Sequence, residues 1–569
     1  MSRVSLWAGM CLAIAVGAGA PANAQSGPIG IGTEADPEIS AGAEGAVNSQ
    51  GVEPASSGPT TSYLYAPSNL GKFYVDKTFT GFGFDDNATE NIRSSTGLGV
   101  RFIPPDPIGA AGHSRVIAVV NSMIEARTKS GQLKWRDGLR DFFAPLAPPT
   151  DVFPFDPKIV YDDHEQRFVV VALELIVGTA SVSPTNVSRI LLAVSKTQTP
   201  GTATAADWNF MAIDSKTVIP RPVTPFDHWA DYPGFEVDEE AVYITANMFT
   251  FVPFGSFGGS RLWIVDKGAG SGGFYDGGAG SFTVHNAYAS AGIATTTMPA
   301  EIRSAGGAGP GIGTYLVSYS GLSDGVDEFV QIVRVDDPLG TPTFTQEFLN
   351  IGNIETGFPA LPDAPQLGST ELIEVNDRRA LDAVWHDDAL WLTTTIRPNA
   401  GANFGQTTAH WWKLDASAVT MAGDPAGLIA LDQQGDIGGE DIAAGAFTYF
   451  PSVAVNRNGS AAFGFSSSAP SIHAGAFVAA RGPFDVAGTV RAPETVQDGL
   501  APYKRFFGGP RNRWGDYSGI SVDPANDDFF WVFNEYADTP GSPTVGSMGP
   551  EDGRWGTAWA RGKFVGPKN

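Results

Sequence analysis

One eleven-residue string constrains this chain more than any other. Arg513-Trp514-Gly515-Asp516-Tyr517-Ser518-Gly519-Ile520-Ser521-Val522-Asp523 is echoed far upstream by His228-Trp229-Ala230-Asp231-Tyr232-Pro233-Gly234-Phe235-Glu236-Val237-Asp238. Both copies read Trp-small-Asp-Tyr-(Pro/Ser)-Gly and then alternate apolar and polar residues up to an Asp. Alternation of that kind marks a strand, and its recurrence marks a repeated β unit.

From Tyr63 onward, strand signals dominate and long helical periodicity is hard to find. The clearest unit runs Lys158 to Tyr161, a polar turn from Asp162 to Arg167, Phe168 to Leu173, Arg189 to Val194 and Trp208 to Ile213. Four strands in a meander are the content of one propeller blade. Anchoring each unit where its inner strand begins gives Pro107, Pro157, Pro233, Pro299, Asp382, Pro451 and Ser518, at intervals of 50, 76, 66, 83, 69 and 67 residues. Seven anchors predict an all-β, seven-bladed β-propeller over residues 61–569. Pro299 is the least distinct anchor, which leaves six and eight blades as alternatives. The 69 glycines, 41 prolines and 36 phenylalanines suit many turns between short aromatic strands. The last unit has strands at Gly519 to Val522, Phe529 to Phe533 and Thr557 to Arg561, one too few. Lys72 to Phe79 is a spare strand that would complete it, close the ring and remove a sheet edge.

Residues 1–24 read as a signal peptide: Arg3, an apolar run from Leu6 to Val16, and Ala22-Asn23-Ala24 as the cleavage site. The run is too short to span a bilayer. Residues 25–60 are poor in large apolar side chains and read as a disordered leader. The expected location is therefore outside the cytoplasm, in the periplasm or the medium. Cys11 is the only cysteine and lies in the signal, so the processed chain would have neither a disulfide nor a thiol nucleophile. Losing Arg3 and no acid moves the net charge from −25 to −26. That acidity argues against nucleic acid and anionic membranes as partners, and it is compatible with bound calcium.

In a propeller, residues just before each inner strand and in the loop after each second strand converge on one face. Asp106, Asp156, Asp231 and Asp516 are expected to ring that mouth, with Tyr232 and Tyr517 beside them. The loops add Glu174, Asn247, Asn534, Glu535 and Tyr536, and the connector through Arg513 and Trp514 adds positive charge. Carboxylates sharing one mouth repel unless something compensates them. Asp106 and Asp156 are the candidate calcium ligands. Asp231, Asp516 and Glu535 are the candidate acid/base or nucleophile groups for work on a sugar, with Tyr232 and Tyr517 as proton donors or nucleophile partners. Arg513 would clamp a carboxylate, while Glu174, Asn247, Trp229, Trp514 and Tyr536 would contact substrate. Against this stands a structural reading, in which each Asp caps a turn or ties blades together and both tryptophans are core wedges. Recurrence with the blade period favours structure for Asp231 and Asp516.

Sharper motifs are missing. His164-Glu165 lacks the second histidine of a zinc-protease helix, the other histidines have no metal-ligand spacing, and there is no haem or nucleotide motif and no Gly-x-Ser-x-Gly elbow. Ser521-Val522-Asp523 with Trp531 is only loosely like a sialidase Asp-box, and Thr128 to Trp135 offers one copy of a quinone-dehydrogenase-like docking repeat.

Pro104-Pro105-Asp106-Pro107-Ile108-Gly109-Ala110-Ala111-Gly112-His113 resembles the PPD-x-x-GA-x-G opening of a group of secreted bacterial β-propeller proteins. Phe450 to Gly459 with Gly464-Phe465-Ser466 resembles their penultimate repeat, and Arg513 to Ser518 with Phe530-Trp531 and Glu535-Tyr536 their last. The resemblance spans about Pro104 to Arg561 and implies export and a propeller, with no catalytic residue attached. The expectation is thus an exported, monomeric propeller that engages an extracellular polymer, foremost a polysaccharide, and as an enzyme would be a glycoside hydrolase or polysaccharide lyase. The alternative is a non-catalytic surface or matrix platform braced by calcium.

Overall fold

The computed structural model describes residues 13–16 and 71–565, apart from 179, 220–225, 253, 288–295, 304–305, 321, 356–359, 507–510, 542–543 and 547–548. The expected signal and leader lie outside the described residues except for Ala13–Val16, a strand antiparallel to Leu98–Ile103.

Seven sheets form the blades of a β-propeller. The inner strands of blades 1 to 7 are Ile108–Ala111, Phe155–Asp162, Phe226–Val237, Met298–Pro299, Asp382–His386, Phe447–Val455 and Gly519–Val522. Each expected anchor lies in an inner strand or within one residue of its start. Blade 4, the least distinct in sequence, has an inner strand of two residues, because the chain then crosses to pair Glu301–Ile302 parallel with Val384–Trp385 of blade 5. Lys72–Gly83 pairs antiparallel with Arg554–Val565 and completes blade 7, so the ring closes as the spare strand requires.

Proline shapes four inner strands, at the start of two and within the other two. Asp106, Asp156, Tyr232 and Phe450 have φ of 51°, 46°, 52° and 52°, and each directly precedes a proline. A left-handed residue other than glycine costs roughly 1–2 kcal/mol, so packing must hold it there. Pairing with the second strand slips between Asp231 and Gly234 and between Tyr449 and Ser452, as bulges at these prolines. A bulge re-aims the side chain it carries. Blades 7 and 1 meet backbone to backbone: a Cβ on Gly519 would lie 2.5 Å from the Gly109 nitrogen. Only glycine permits that approach.

Aromatic side chains fill the gaps between blades. Trp229 is fully buried against Phe155, Phe249 and Phe254. Trp514 is buried against Tyr503, its indole N–H donating to Ser466 Oγ at 3.0 Å. Both tryptophans are core wedges. Over the strand-start end of the axis, the helix Phe84–Glu90 supplies Asn87, which donates to the Asn121 carbonyl (3.0 Å) and accepts from the Phe102 N–H (2.8 Å).

Candidate functional site

The residues expected to meet at the strand-start end do meet, but as a buried network. Asp106 accepts from Asn121 Nδ2 at 2.6 Å and from the Asp516 N–H at 2.8 Å. Asn121 Oδ1 accepts from the Asp156 N–H at 2.8 Å, and Asp156 accepts from the Tyr232 N–H at 3.2 Å. Asp516 is paired with Arg513 and accepts from Asn376 Nδ2 at 2.6 Å. Blades 1, 2, 3 and 7 are stitched together by this chain. The two echoed strings also touch each other: the Tyr232 and Tyr517 rings lie 4.7 Å apart and the Tyr232 hydroxyl donates to the Asp516 carbonyl at 3.2 Å. Blades 3 and 7 are not neighbours, so these tyrosines meet across the axis and plug it.

Apart from half-buried Asn376, the members are buried. Asp106 and Glu535 are 0% exposed, and Asp156, Asp231, Asp516, Tyr232, Tyr517 and Arg513 are no more than 3% exposed. Burial, reinforced by Asp516 and Asp156, pushes Asp106 well above the usual carboxylate range. Burial and the nearby Asp516 raise Asp156 to about 7. Glu535 is pushed well above its ordinary value by burial, then by Asp106 and Asp516, and neither of its oxygens has a hydrogen-bond partner among the described residues. A neutral, protonated Glu535 is the state this site favours.

As calcium ligands Asp106 and Asp156 fit poorly. Asp106 has both oxygens engaged by N–H donors and Asp156 has one so engaged, and among the described residues no group of three or more His, Cys, Asp or Glu is placed to hold a metal ion. Three other expected contacts lie outside the network. Glu174 is held by Arg189 through two bonds of 2.6 and 2.8 Å, Asn247 donates to Thr296 Oγ1 at 2.8 Å, and Tyr536 packs against Gly556.

Beyond the tyrosine plug, the axis holds a channel with a cavity volume of about 70 Å³, walled by inner strands of all seven blades. Lys158, Glu236, Glu301, Arg303 and Asp382 bring charge to it, with Tyr517 at its plugged end. Glu236, Glu301 and Asp382 are partly exposed, in contrast to the plug. Burial lifts Asp382 to about 7, and lifts Glu236 well above its ordinary value with help from Glu301 and Asp382. Glu301 is raised by burial against the lowering effect of Arg303. Burial pulls Lys158 down to about 8. Its ammonium sits 4.3 Å from the Tyr517 ring centre and 3.6 Å from Met298 Sδ. Arg303 is paired with Asp163 (3.0 Å) and Glu301 (3.3 Å). Such a wall offers acceptors, one ammonium and carboxyls that can lose or gain a proton near neutral pH.

Sequence reasoning missed Asn121, Lys158, Glu236 and Glu301, and took Asp382 only as a strand anchor. One signal was present. Aligning the echoes sets Glu236 opposite Ser521, and both line the channel, so a charge stands at an inward position whose counterpart is neutral.

No family model and no curated protein matches this chain. Among solved structures, it is similar to Trypanosoma rangeli sialidase in complex with 2,3-difluorosialic acid (9% identity, 86% of this chain, TM-score 0.32). The match spans 59% of the sialidase's own length. An exo-1,5-α-L-arabinanase from a bovine ruminal metagenomic library aligns at 12% identity over 58% of this chain and 96% of its own, TM-score 0.27. A Synechocystis apocarotenoid oxygenase mutant aligns at 12% over 69% and 72%, TM-score 0.36. Likenesses of this size carry no argument about activity.

Proposed function

We propose that this chain is an exported propeller that binds an extracellular polysaccharide in its central channel, with the plug at the strand-start end serving as scaffold. The observation that carries this reading is the channel wall: Glu236, Glu301 and Asp382 stand partly exposed around the open channel, facing Lys158. Carboxyl acceptors and an ammonium donor beside an aromatic floor match the hydroxyls and ring faces of a sugar. In its enzymatic form the same wall supplies acid and base for a glycoside hydrolase or polysaccharide lyase. Asp382, poised near neutrality, would exchange the proton, and Glu236 would act as the protonated partner. The assignment thereby moves from Asp231, Asp516 and Glu535 to groups a polymer end can reach.

A polysaccharide array with product detection tests it. The expected result is binding that drops at least tenfold in the E236Q/D382N double variant. New reducing or unsaturated ends would make the protein an enzyme, and binding without new ends a platform. Undiminished binding by the double variant would overturn the channel assignment.

A further inference from the structure

Lys158 stands apart from every other buried cation on the axis. Arg513 is paired with Asp516, Arg303 with Asp163 and Glu301, and Arg379 with Asp377. Lys158 is 7% exposed, yet its ammonium makes no ion pair among the described residues. Its contacts are a thioether sulfur at 3.6 Å and the Tyr517 and Tyr232 rings at 4.3 and 6.0 Å. Buried lysines are ordinarily paired, because an unpaired buried charge is costly. This one stands on the channel wall, next to space a ligand can enter.

We propose that Lys158 is a carbonyl-trapping amine, which takes the aldehyde or ketone of a small neutral ligand, such as an open-chain sugar end, into a Schiff base within the channel. Three features lead there. Among the described residues the amine has no oxygen acceptor, only the weak thioether of Met298, to hold its proton in place, and a desolvated lysine is the usual form of a Schiff-base nucleophile. The groups facing it are Asp382, Glu236, Asp156 and Asp106, all of which favour the ammonium, while burial opposes it more strongly. An anionic ligand would also face Glu236, Glu301 and Asp382, whereas a neutral carbonyl meets no such repulsion.

The step balances within the channel. The Lys158 lone pair forms an N–C bond to the carbonyl carbon as the C=O π pair moves to oxygen. One proton passes from nitrogen to that oxygen, with Asp382 or Glu236 as carrier. The carrier then protonates the carbinolamine hydroxyl, which leaves as water while the nitrogen lone pair forms the C=N bond, and the remaining N–H proton returns to the carrier. No oxidant or reductant is needed.

The test is trapping on the purified full chain. It is incubated with glycolaldehyde and sodium cyanoborohydride at pH 7.5, and the adducts are mapped by peptide mass spectrometry. Lys158 is expected to be labelled about tenfold faster than exposed Lys72 or Lys134, since a desolvated amine is less protonated than a solvated one. The K158M variant should lose that adduct and keep the others. Labelling of Lys158 no faster than of the exposed lysines in the wild-type chain would overturn the proposal, whether or not the variant folds. Faster labelling by anionic glyoxylate than by glycolaldehyde would overturn the neutral-ligand assignment. The trapping needs no polysaccharide, so its failure and that of the polysaccharide reading are separable.

Discussion

Two groups of carboxylates share the propeller axis and differ in how far they can be reached. At the strand-start end, Asp106, Asp156 and Asp516 accept from backbone and asparagine N–H groups, and none is more than 2% exposed. Farther along the inner strands, Glu236 has a buried oxygen without a partner among the described residues, while Asp382 and Glu301 face a channel. The lesson is that acidic residues gathered by a repeat can be sealed or reachable, and access to the channel decides which more than the count of donors does: Asp382 accepts from the Ala383 and Val453 N–H groups yet lines the channel, whereas Asp156 is sealed with one oxygen unfilled among the described residues. N–H donors reaching over from a neighbouring blade make a staple. An unfilled acceptor on a channel wall is open to a ligand.

The contrast can be broken most forcefully at Asp516. Replacing it with alanine removes the close carboxylate partner of a buried Arg513 and the acceptor of Asn376, so unfolding free energy should fall by about 3 kcal/mol. Asp382→Asn, which keeps an acceptor for the Val453 N–H, should cost less than about 1 kcal/mol. Urea unfolding of the two variants side by side measures this. Equal losses would erase the distinction.

A pH series sharpens it next. The folded-state pKa of Asp156, about 7, lies above the ordinary aspartate value of about 3.9. Between those values the folded chain binds more protons than the unfolded one, so this contribution is fully present below about pH 4 and is lost as pH rises through 7. The melting temperature should be lower at pH 8 than at pH 5, by about 2 °C or more, and D156N should flatten the slope. A steeper rise towards pH 8 would show that the buried network is charged in the folded state.

Glu535→Gln should have a smaller effect of opposite sign. Replacing a carboxyl that must hold a proton with a neutral amide should add about 1 kcal/mol at pH 8 and nearly nothing at pH 5. The smallest expected effect is that of chelation. With Asp106 filled by N–H donors, EDTA should leave the melting temperature unchanged, and a clear drop would restore calcium as a brace.

Architecture was largely legible in the sequence because its signals are periodic. The two Trp-small-Asp-Tyr strings, the X-Pro pairs at Asp106, Asp156, Tyr232 and Phe450, and the spare strand at Lys72 all follow from strand alternation and edge closure. Convergence at one end was legible too. What the sequence hid was the state of that convergence, because the donors come from afar: Asn121 from a turn of blade 1, and Asn376 from the connector before blade 5. Asp238 and Asp523, which end the two echoes, illustrate the same point. They cap the turns after their strands and hold Tyr243 and Trp531, which alternation alone does not reveal. Lys158 and Glu236 escaped notice because a single charged residue in a strand reads as solvent-facing unless the ring's interior is known.

The most direct test of the division between staple and channel compares D516N with the E236Q/D382N double variant for binding to whichever polysaccharide the array identifies. Affinity per folded molecule, measured by calorimetry at pH 7, should be retained in D516N and fall at least tenfold in the double variant. Retained affinity in the double variant with loss in a folded D516N would place the ligand at the strand-start end and contradict the account.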